Sequence, residues 1–157
     1  MGTTPDTRCD LVLVSACLAG CECRYDGRSN ETSAVARLVA EGRAVLVCPE
    51  EEGGLPTPRP PAEIVGGDGH DVLAGRAQVV TKDGRDVTTE YLEGAQRALA
   101  TARAAGATRA ILKLRSPSCG RGRIYDGSFS ATTTAGDGVT AALLRANGIE
   151  VTTEQQL

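Results

Sequence analysis

The chain has 157 residues, 41% of them hydrophobic, which suffices for a single buried core without stabilising cross-links. Its formal net charge of −3 argues against broad, sequence-independent binding of nucleic acid through phosphates. Aromatic residues make up only 3% of the chain, which argues against a protein that stacks many unpaired bases on aromatic rings.

The first part of the chain predicts a strand, a helix and a second strand. The apolar run at residues 10–15 is typical of a buried strand, and a second such run ends at Cys48. Between them we expect a helix over residues 30–41, because Asn30 is a good N-cap and an apolar stripe follows it. Gly42 supplies the end of that helix.

The middle of the chain begins with residues 49–61, which contain five prolines and two adjacent glycines. This composition predicts a rigid loop and excludes a helix or a central strand. Between Val72 and Val87 we expect a β-hairpin, with Asp83 and Gly84 forming its turn.

A long helix is predicted next, capped by Asp86 or Thr88 and ended by Gly106. The residues expected on its buried face are Tyr91, Ala95, Ala98, Leu99 and Ala102. A third strand follows at residues 110–114.

The last part of the chain predicts a helix capped by Asp137 and a closing strand at residues 149–152. The resulting β-α-β rhythm indicates an α/β fold with three layers and a mostly parallel, twisted, Rossmann-like sheet, with a small antiparallel hairpin insertion. We treat residues 1–157 as one domain, with its core at about residues 10–152.

The six cysteines are too few for a disulfide scaffold. The N-terminus has neither the basic start nor the apolar stretch of a secretory signal, and no apolar run approaches the roughly 20 residues that span a bilayer. We therefore expect a cytoplasmic protein with no membrane partner, where cysteines serve as ligands or catalysts.

Three cysteines lie just past the carboxyl ends of the three predicted parallel strands. Cys17 follows the first strand, Cys48 the second and Cys119 the third. Ligands bind at this edge of open α/β sheets because its loops converge on one crevice. Three thiolates delivered to one crevice predict a metal or iron–sulfur site, although any single buried cysteine is by itself better explained as a core residue.

The loops that carry these cysteines resemble those of the thiouracil desulfidase family, formerly a domain of unknown function. The likeness covers about residues 11–150. The segments that carry it are 15–27, 48–64, 84–88, 112–120 and 124–129. It implies an oxygen-sensitive 4Fe–4S enzyme that replaces the sulfur of a thiolated uracil, nucleoside or nucleotide with oxygen and releases sulfide, a hydrolase-like reaction.

The resemblance also implies roles for individual residues. Its three cluster ligands match Cys17, Cys48 and Cys119, its acidic catalytic residue matches Glu52, and its catalytic serine matches Ser116. Three thiolates on a cluster that usually takes four leave one iron without a protein ligand, open to the substrate sulfur. A carboxylate near such a site is expected to have a raised pKa, which suits a base that activates water.

Cys21 and Cys23 leave a second hypothesis open: a binding module without catalysis, stabilised by zinc or a cluster, in which one of them completes a closed site. We favour both as non-ligands. Cys9 is interpreted as a spectator, and the lone His70 is assigned to a solvated loop.

Arginines near the predicted site are candidates for substrate binding. Arg59, Arg115 and Arg121 are expected either to offset the negative charge of the cluster or to hold a substrate phosphate. The low aromatic content and the net charge favour a free thiolated base or mononucleotide over 4-thiouridine in tRNA, which remains the second substrate class.

Overall fold

The computed structural model describes residues 11–156, so Cys9 lies outside the described residues. In chain order its elements are β1 (Val12–Ser15), α1 (Ser33–Ala40), β2 (Ala44–Val47), α2 (Pro49–Glu52), β3 (Ala62–Val65), α3 (Gly69–Leu73), β4 (Gln78–Thr81), α4 (Thr88–Ala105), β5 (Arg109–Leu112), β6 (Arg123–Tyr125), β7 (Thr133–Ala135), α5 (Val139–Ala146) and β8 (Glu150–Thr153), with 3-10 turns at Ala16–Ala19 and Glu154–Gln156.

The central sheet has four parallel strands in the order β2-β1-β5-β8. In its register, Val12 of β1 lies between Ala44 of β2 and Arg109 of β5. The chain therefore adds β2 on one side of β1 and, later in the sequence, β5 on its other side. Because the strands are parallel, the carboxyl ends of β1, β2 and β5 lie at the same edge of the sheet. Two antiparallel pairs, β3-β4 and β6-β7, lie outside this sheet. The predicted α/β fold is confirmed.

The alternation of side chains along β1 separates two apolar layers. Val12 and Val14 belong to a buried cluster with Val35 of α1. Leu13, between them in sequence, belongs to a second cluster with Leu99 of α4 and Leu144 of α5. Helices therefore cover both faces of the sheet, as a three-layer fold requires.

Helix α4 is buried along the predicted face, and Gly106 ends it in a left-handed conformation. Gly94 extends this face, and it has a packing role: a Cβ at this position would overlap the carbonyl oxygen of Pro49 in α2. Helix α2 therefore packs directly on the backbone of α4, and this contact fixes the segment that follows Cys48.

Two helix starts differ from the prediction. Helix α1 is capped by Thr32, whose hydroxyl accepts the N–H of Val35 at 3.4 Å, because the side chain of Asn30 instead accepts a hydrogen bond from Arg24 at 3.0 Å. The proline-rich segment does contain a helix, α2. It is compatible with proline because Pro49 occupies the first helical position, where no N–H is needed.

The predicted hairpin is correct only around its turn. The N–H of Gly84 donates to the carbonyl of Thr81, and Val80 pairs with Asp86 in an isolated antiparallel bridge. The main partner of β4 is β3, however, because the chain enters α4 at Thr88 before a second strand can extend.

Asp137 does not cap the last helix, and His70 does not lie in a loop. Gly138 is the N-cap of α5, whereas Asp137 Oδ1 accepts the N–H of Gly122 at 2.8 Å. Asp137 Oδ2 contacts His70 Nε2 at 3.0 Å and Arg145 Nη1 at 2.5 Å. The predicted cap was wrong because these partners of Asp137 are distant in sequence. His70 is exposed, as predicted, but it lies in α3, a short helix that begins at the local N-cap Asp68.

Within residues 11–156, the helices are too short or too polar for any of them to cross a bilayer.

Candidate active site

A cavity of about 510 Å³ lies at the carboxyl ends of β1, β2 and β5. Cys17, Cys48 and Cys119 all line this cavity, together with Ser116. The topology of the sheet thus brings together three cysteines that are separated by 31 and 71 positions in the sequence. This arrangement agrees with the convergence predicted from the strand ends.

Cys17 and Cys48 are held at the first residues beyond their strands. Cys17 lies in the 3-10 turn that follows β1, and its carbonyl accepts the N–H of Asn30 at 2.8 Å, which closes the loop between them. Cys48 is the N-cap of α2, directly after β2. Cys17 is buried and Cys48 is half-buried.

Cys119 is fixed by the hydroxyl of Ser116. The Ser116 Oγ accepts the N–H groups of Ser118 and Cys119, each at 3.0 Å. A hydroxyl has two acceptor positions and one proton, so these two bonds leave Ser116 free to donate its proton into the cavity. Ser118 points elsewhere and shares a 2.8 Å hydrogen bond with Thr140.

Cys23 is a fourth cysteine in the cavity wall, between Cys17 and Cys48. Its thiol lies within hydrogen-bond reach of the sulfurs of both neighbours, and these contacts lower the pKa of Cys17 to about 7 and lower the pKa of Cys48. The pKa of Cys23 is raised by the same contacts, and burial raises the pKa of Cys119. For Cys17 and Cys48 the contact with Cys23 therefore favours the thiolate, the form that binds metals.

Cys21, by contrast, is exposed and does not line the cavity. Within residues 11–156, no group of three or more His, Cys, Asp or Glu side chains, the three predicted ligands included, is arranged to hold a metal ion. The geometry therefore gives no support to Cys21 as a ligand, whereas Cys23 contacts two of the predicted ligands and its interpretation as a non-ligand stays a prediction.

The acidic loop after Cys48 places one carboxylate at the cavity, and it is Glu50. Arg59, which is 9% exposed, donates from Nε to Glu50 Oε2 at 2.8 Å and also forms an ion pair with it through Nη2. The buried hydroxyl of Tyr91 forms a further hydrogen bond with Glu50. Burial, followed by the charge of Glu50, raises the pKa of this tyrosine, which keeps it protonated as a donor.

Glu52 is exposed and does not line the cavity. Helix α2 explains this placement, because successive residues of a helix turn through 100° and Glu50 and Glu52 leave it on different sides. Glu52 was expected to act as a base beside a low-dielectric site, and its exposed side chain does not lie in such a site. Its catalytic role stays a prediction.

Arg59 lines the cavity, but all five of its N–H donors are used within the protein. Besides the two bonds to Glu50, Nη1 donates to Pro56 O at 3.2 Å and Thr57 Oγ1 at 2.7 Å, and Nη2 donates to Cys23 O at 2.8 Å. A guanidinium has five donors, so none remains for a substrate phosphate. Burial alone would lower the pKa of Arg59, but the charge and hydrogen bonds of Glu50 have the larger effect and raise the pKa of Arg59.

Arg115 and Arg121 are not among the residues that line the cavity. Arg115 is exposed, with a positive φ of 64°, and Arg121 is half-buried with a buried Nε that has no hydrogen-bond partner in the described part of the chain. Their predicted contacts with substrate have no support in this geometry and stay predictions.

Sequence reasoning missed the aromatic lining of the cavity. Tyr25, Tyr91, Tyr125 and Phe129 all line it, and the chain contains three tyrosines, one phenylalanine and no tryptophan. Every aromatic side chain of the protein therefore lies at this one site. The low aromatic content was interpreted only as an argument against nucleic-acid binding, although scarcity is what makes the clustering informative.

The residues present fit an iron–sulfur cluster. Cysteine thiolates are the usual ligands of such clusters, and the contact with Cys23 lowers the pKa of both Cys17 and Cys48 toward that form. The third thiol, Cys119, reaches the same cavity from β5. All three predicted ligand atoms are sulfurs, which are soft donors of the kind that iron–sulfur clusters use.

Comparisons with known proteins indicate the family of this chain. Residues 12–156 match the 2-thiouracil desulfurase family. The uncharacterized protein YbbK of Bacillus subtilis (strain 168) is 52% identical over 147 residues, covering 94% of this chain and 97% of that protein. The solved structure of a [4Fe-4S]-dependent thiouracil desulfidase, TudS, is similar with a TM-score of 0.83 and 49% identity, covering 94% of this chain and 93% of that one. This chain belongs to the 2-thiouracil desulfurase family.

Proposed function

We propose that this protein is a 4Fe–4S-dependent desulfidase that replaces the sulfur of a thiolated uracil, nucleoside or nucleotide with oxygen and releases sulfide. The observation that carries the proposal is the convergence of Cys17, Cys48 and Cys119 on one cavity that also contains a carboxylate and a hydroxyl. Support also comes from the similar solved structure, which is a [4Fe-4S]-dependent thiouracil desulfidase.

Cys17, Cys48 and Cys119 are the residues that would hold the cluster, leaving one iron without a protein ligand. When bound, such a cluster supplies a Lewis acid with an affinity for soft sulfur. The protein's own task is then to orient the substrate ring, to remove a proton from the attacking water and to supply one to the departing sulfur.

Glu50 is the best candidate for the base, in place of Glu52. It lines the cavity two residues after Cys48, whereas Glu52 is exposed outside it. An ionised carboxylate accepts a proton from water, and general bases contribute roughly 10²- to 10⁴-fold to a rate. Arg59 and Tyr91 hold Glu50 from the protein side, so its orientation is fixed before substrate enters.

Ser116 is suited to donate a hydrogen bond to the substrate. Both of its acceptor positions are occupied by backbone N–H groups, so its proton is directed away from them and is available to the leaving sulfur. A serine in this state cannot serve as a base. Its proposed role is therefore to donate and to orient.

The size of the cavity favours a small substrate. A volume of about 510 Å³ lies within the range of sites for small molecules, and the net charge of −3 disfavours a long polyanion. We therefore propose a thiolated base or mononucleotide, with 4-thiouridine in tRNA as the less favoured class. A reducing cytoplasm would keep the three thiols available as ligands.

The proposal is tested by anaerobic reconstitution. We expect about four iron and four sulfide per chain, and sulfide release from a thiouracil or its nucleotide. Single Ser replacements of Cys17, Cys48 and Cys119 should each lose iron. Glu50→Gln should lose activity by about 100-fold or more with the cluster retained, and Glu52→Gln is its matched control.

Zinc without iron after anaerobic handling would refute the cluster. Iron with no sulfide released from any thiolated pyrimidine would refute the desulfidase and leave a binding module. A greater loss of activity for Glu52→Gln than for Glu50→Gln would return the base to Glu52.

A further inference from the structure

Glu63 is a buried carboxylate in the cavity wall that the proposed chemistry does not use. It lies on β3, is 8% exposed and lines the cavity. No cation of the described chain forms an ion pair with it. A cavity-wall carboxylate that no cation of the described chain pairs with can accept a hydrogen bond from a ligand, so its contacts indicate what the site is built to bind.

One oxygen of Glu63 is used within the protein and the other is not. Oε1 accepts the backbone N–H groups of Gly127 at 2.9 Å and Phe129 at 3.2 Å. Oε2 has no hydrogen-bond partner among residues 11–156. These two N–H groups fix the carboxylate in place, and the free oxygen is an acceptor that a ligand N–H can satisfy.

The same contacts place Phe129 at the cavity. Gly127 packs so closely on β3 that a Cβ would lie 2.6 Å from the carbonyl oxygen of Ile64. Phe129 has a positive φ of 56°, a strained conformation for a bulky residue, and its N–H bond to Glu63 stabilises it. The ring of Phe129 and the carboxylate of Glu63 are therefore positioned as one unit.

We propose that Glu63 and Phe129 determine specificity for a pyrimidine that carries a ring N–H: Glu63 accepts that N–H and Phe129 stacks on the ring. This inference rests on the proposed function and names how the same cavity recognises its substrate. A carboxylate accepts a hydrogen bond from a donor on the edge of the substrate ring, and an aromatic side chain stacks on the flat face of that ring. A substrate methylated on that nitrogen leaves Oε2 unpaired and is rejected.

Binding of the sulfur-free nucleotide tests this recognition without any turnover. The probes are uridine 5′-monophosphate and its N3-methyl analogue, titrated into the full-length, cluster-loaded wild-type protein under anaerobic conditions. The phosphate and ribose are identical in the two probes, so their difference isolates the ring N–H. We expect the methylated probe to bind about tenfold more weakly or worse, the loss expected for a hydrogen bond to a charged group.

Two variants separate the two parts of the unit. Glu63→Gln keeps an acceptor for the backbone N–H groups but turns an amide NH₂ toward the ligand, so the two probes should bind with equal, weakened affinity. Phe129→Leu removes stacking and should weaken both probes by a similar factor of about tenfold, preserving the tenfold preference. Circular dichroism and iron content verify that each variant is folded and loaded.

Equal binding of the two probes to the wild type, or an undiminished preference in Glu63→Gln, would overturn the inference. The wild-type comparison requires no substitution, so it stands even if a variant fails to fold. Sulfide release is measured separately. Release of sulfide with no N3 preference refutes this inference alone, and an N3 preference without sulfide release refutes the desulfidase alone.

Discussion

Replacing Arg59 by Met should destabilise the fold by about 3 kcal/mol, because the guanidinium pairs with Glu50 in the cavity wall and both side chains are largely buried. The Arg59 side chain is 5% exposed and the Glu50 side chain 15% exposed. Removing one partner of a buried ion pair costs roughly 3–5 kcal/mol. Tyr91 still donates to Glu50 in the variant, so we expect the lower end of that range.

The measurement is urea unfolding of the metal-free protein under a thiol reductant, so that a bound cluster does not add to the stability. For an m-value of about 2 kcal/mol per molar, a loss of 3 kcal/mol lowers the midpoint by about 1.5 M. Glu50→Gln and the double variant complete a cycle, in which the two losses should overlap by about 2 kcal/mol. An unchanged midpoint for Arg59→Met, or strictly additive losses, would refute the role assigned to this ion pair.

Three further predictions concern other parts of the molecule. Cys21→Ser should leave the iron content of the reconstituted protein unchanged, because this side chain is exposed and outside the cavity; loss of iron would make it a ligand. Gly94→Ala should lower the free energy of unfolding in urea by about 2 kcal/mol despite the better helix propensity of alanine, since its Cβ overlaps the Pro49 carbonyl; a stabilised variant would contradict this packing. Asp137→Asn should lower the free energy of unfolding by about 1–2 kcal/mol at neutral pH. Burial alone would raise the pKa of Asp137, but its contacts with the N–H of Gly122 and with Arg145 outweigh burial and lower this pKa. A carboxyl group with a lowered pKa stabilises the fold at pH values above its unfolded pKa, which is near 4. The difference should vanish as the pH falls through the folded pKa, and urea midpoints that differ equally at pH 7 and pH 2 would be inconsistent with it.

The convergence of the cysteines could be predicted from sequence because it depends only on strand ends. Apolar runs mark the strands, and parallel strands deliver whatever follows them to one edge. Cys17, Cys48 and Cys119 follow three such runs, so their common location required no knowledge of side-chain packing. The buried face of α4 was predictable for the same kind of reason, since it follows from helical periodicity.

Which of Glu50 and Glu52 lines the cavity could not be predicted in this way. It depends on a four-residue helix inside a proline-rich segment, and on an ion pair with Arg59 nine positions away. Proline content argues against a helix in general but not when Pro49 is its first residue. The partners of Asp137 could not be predicted either. An aspartate just before a helix predicts an N-cap, but here the N–H of Gly122, which is distant in sequence, donates to its carboxylate.

Because all three tyrosines and the one phenylalanine line one cavity, the intrinsic fluorescence of the protein reports on that cavity. With no tryptophan, its ultraviolet emission comes from three tyrosines, all of which line that cavity. Emission from such rings is quenched by a nearby iron–sulfur chromophore and is sensitive to a stacked pyrimidine. Loading of the site and arrival of a ligand can therefore be followed in the unlabelled wild-type chain, with little background from the rest of the fold.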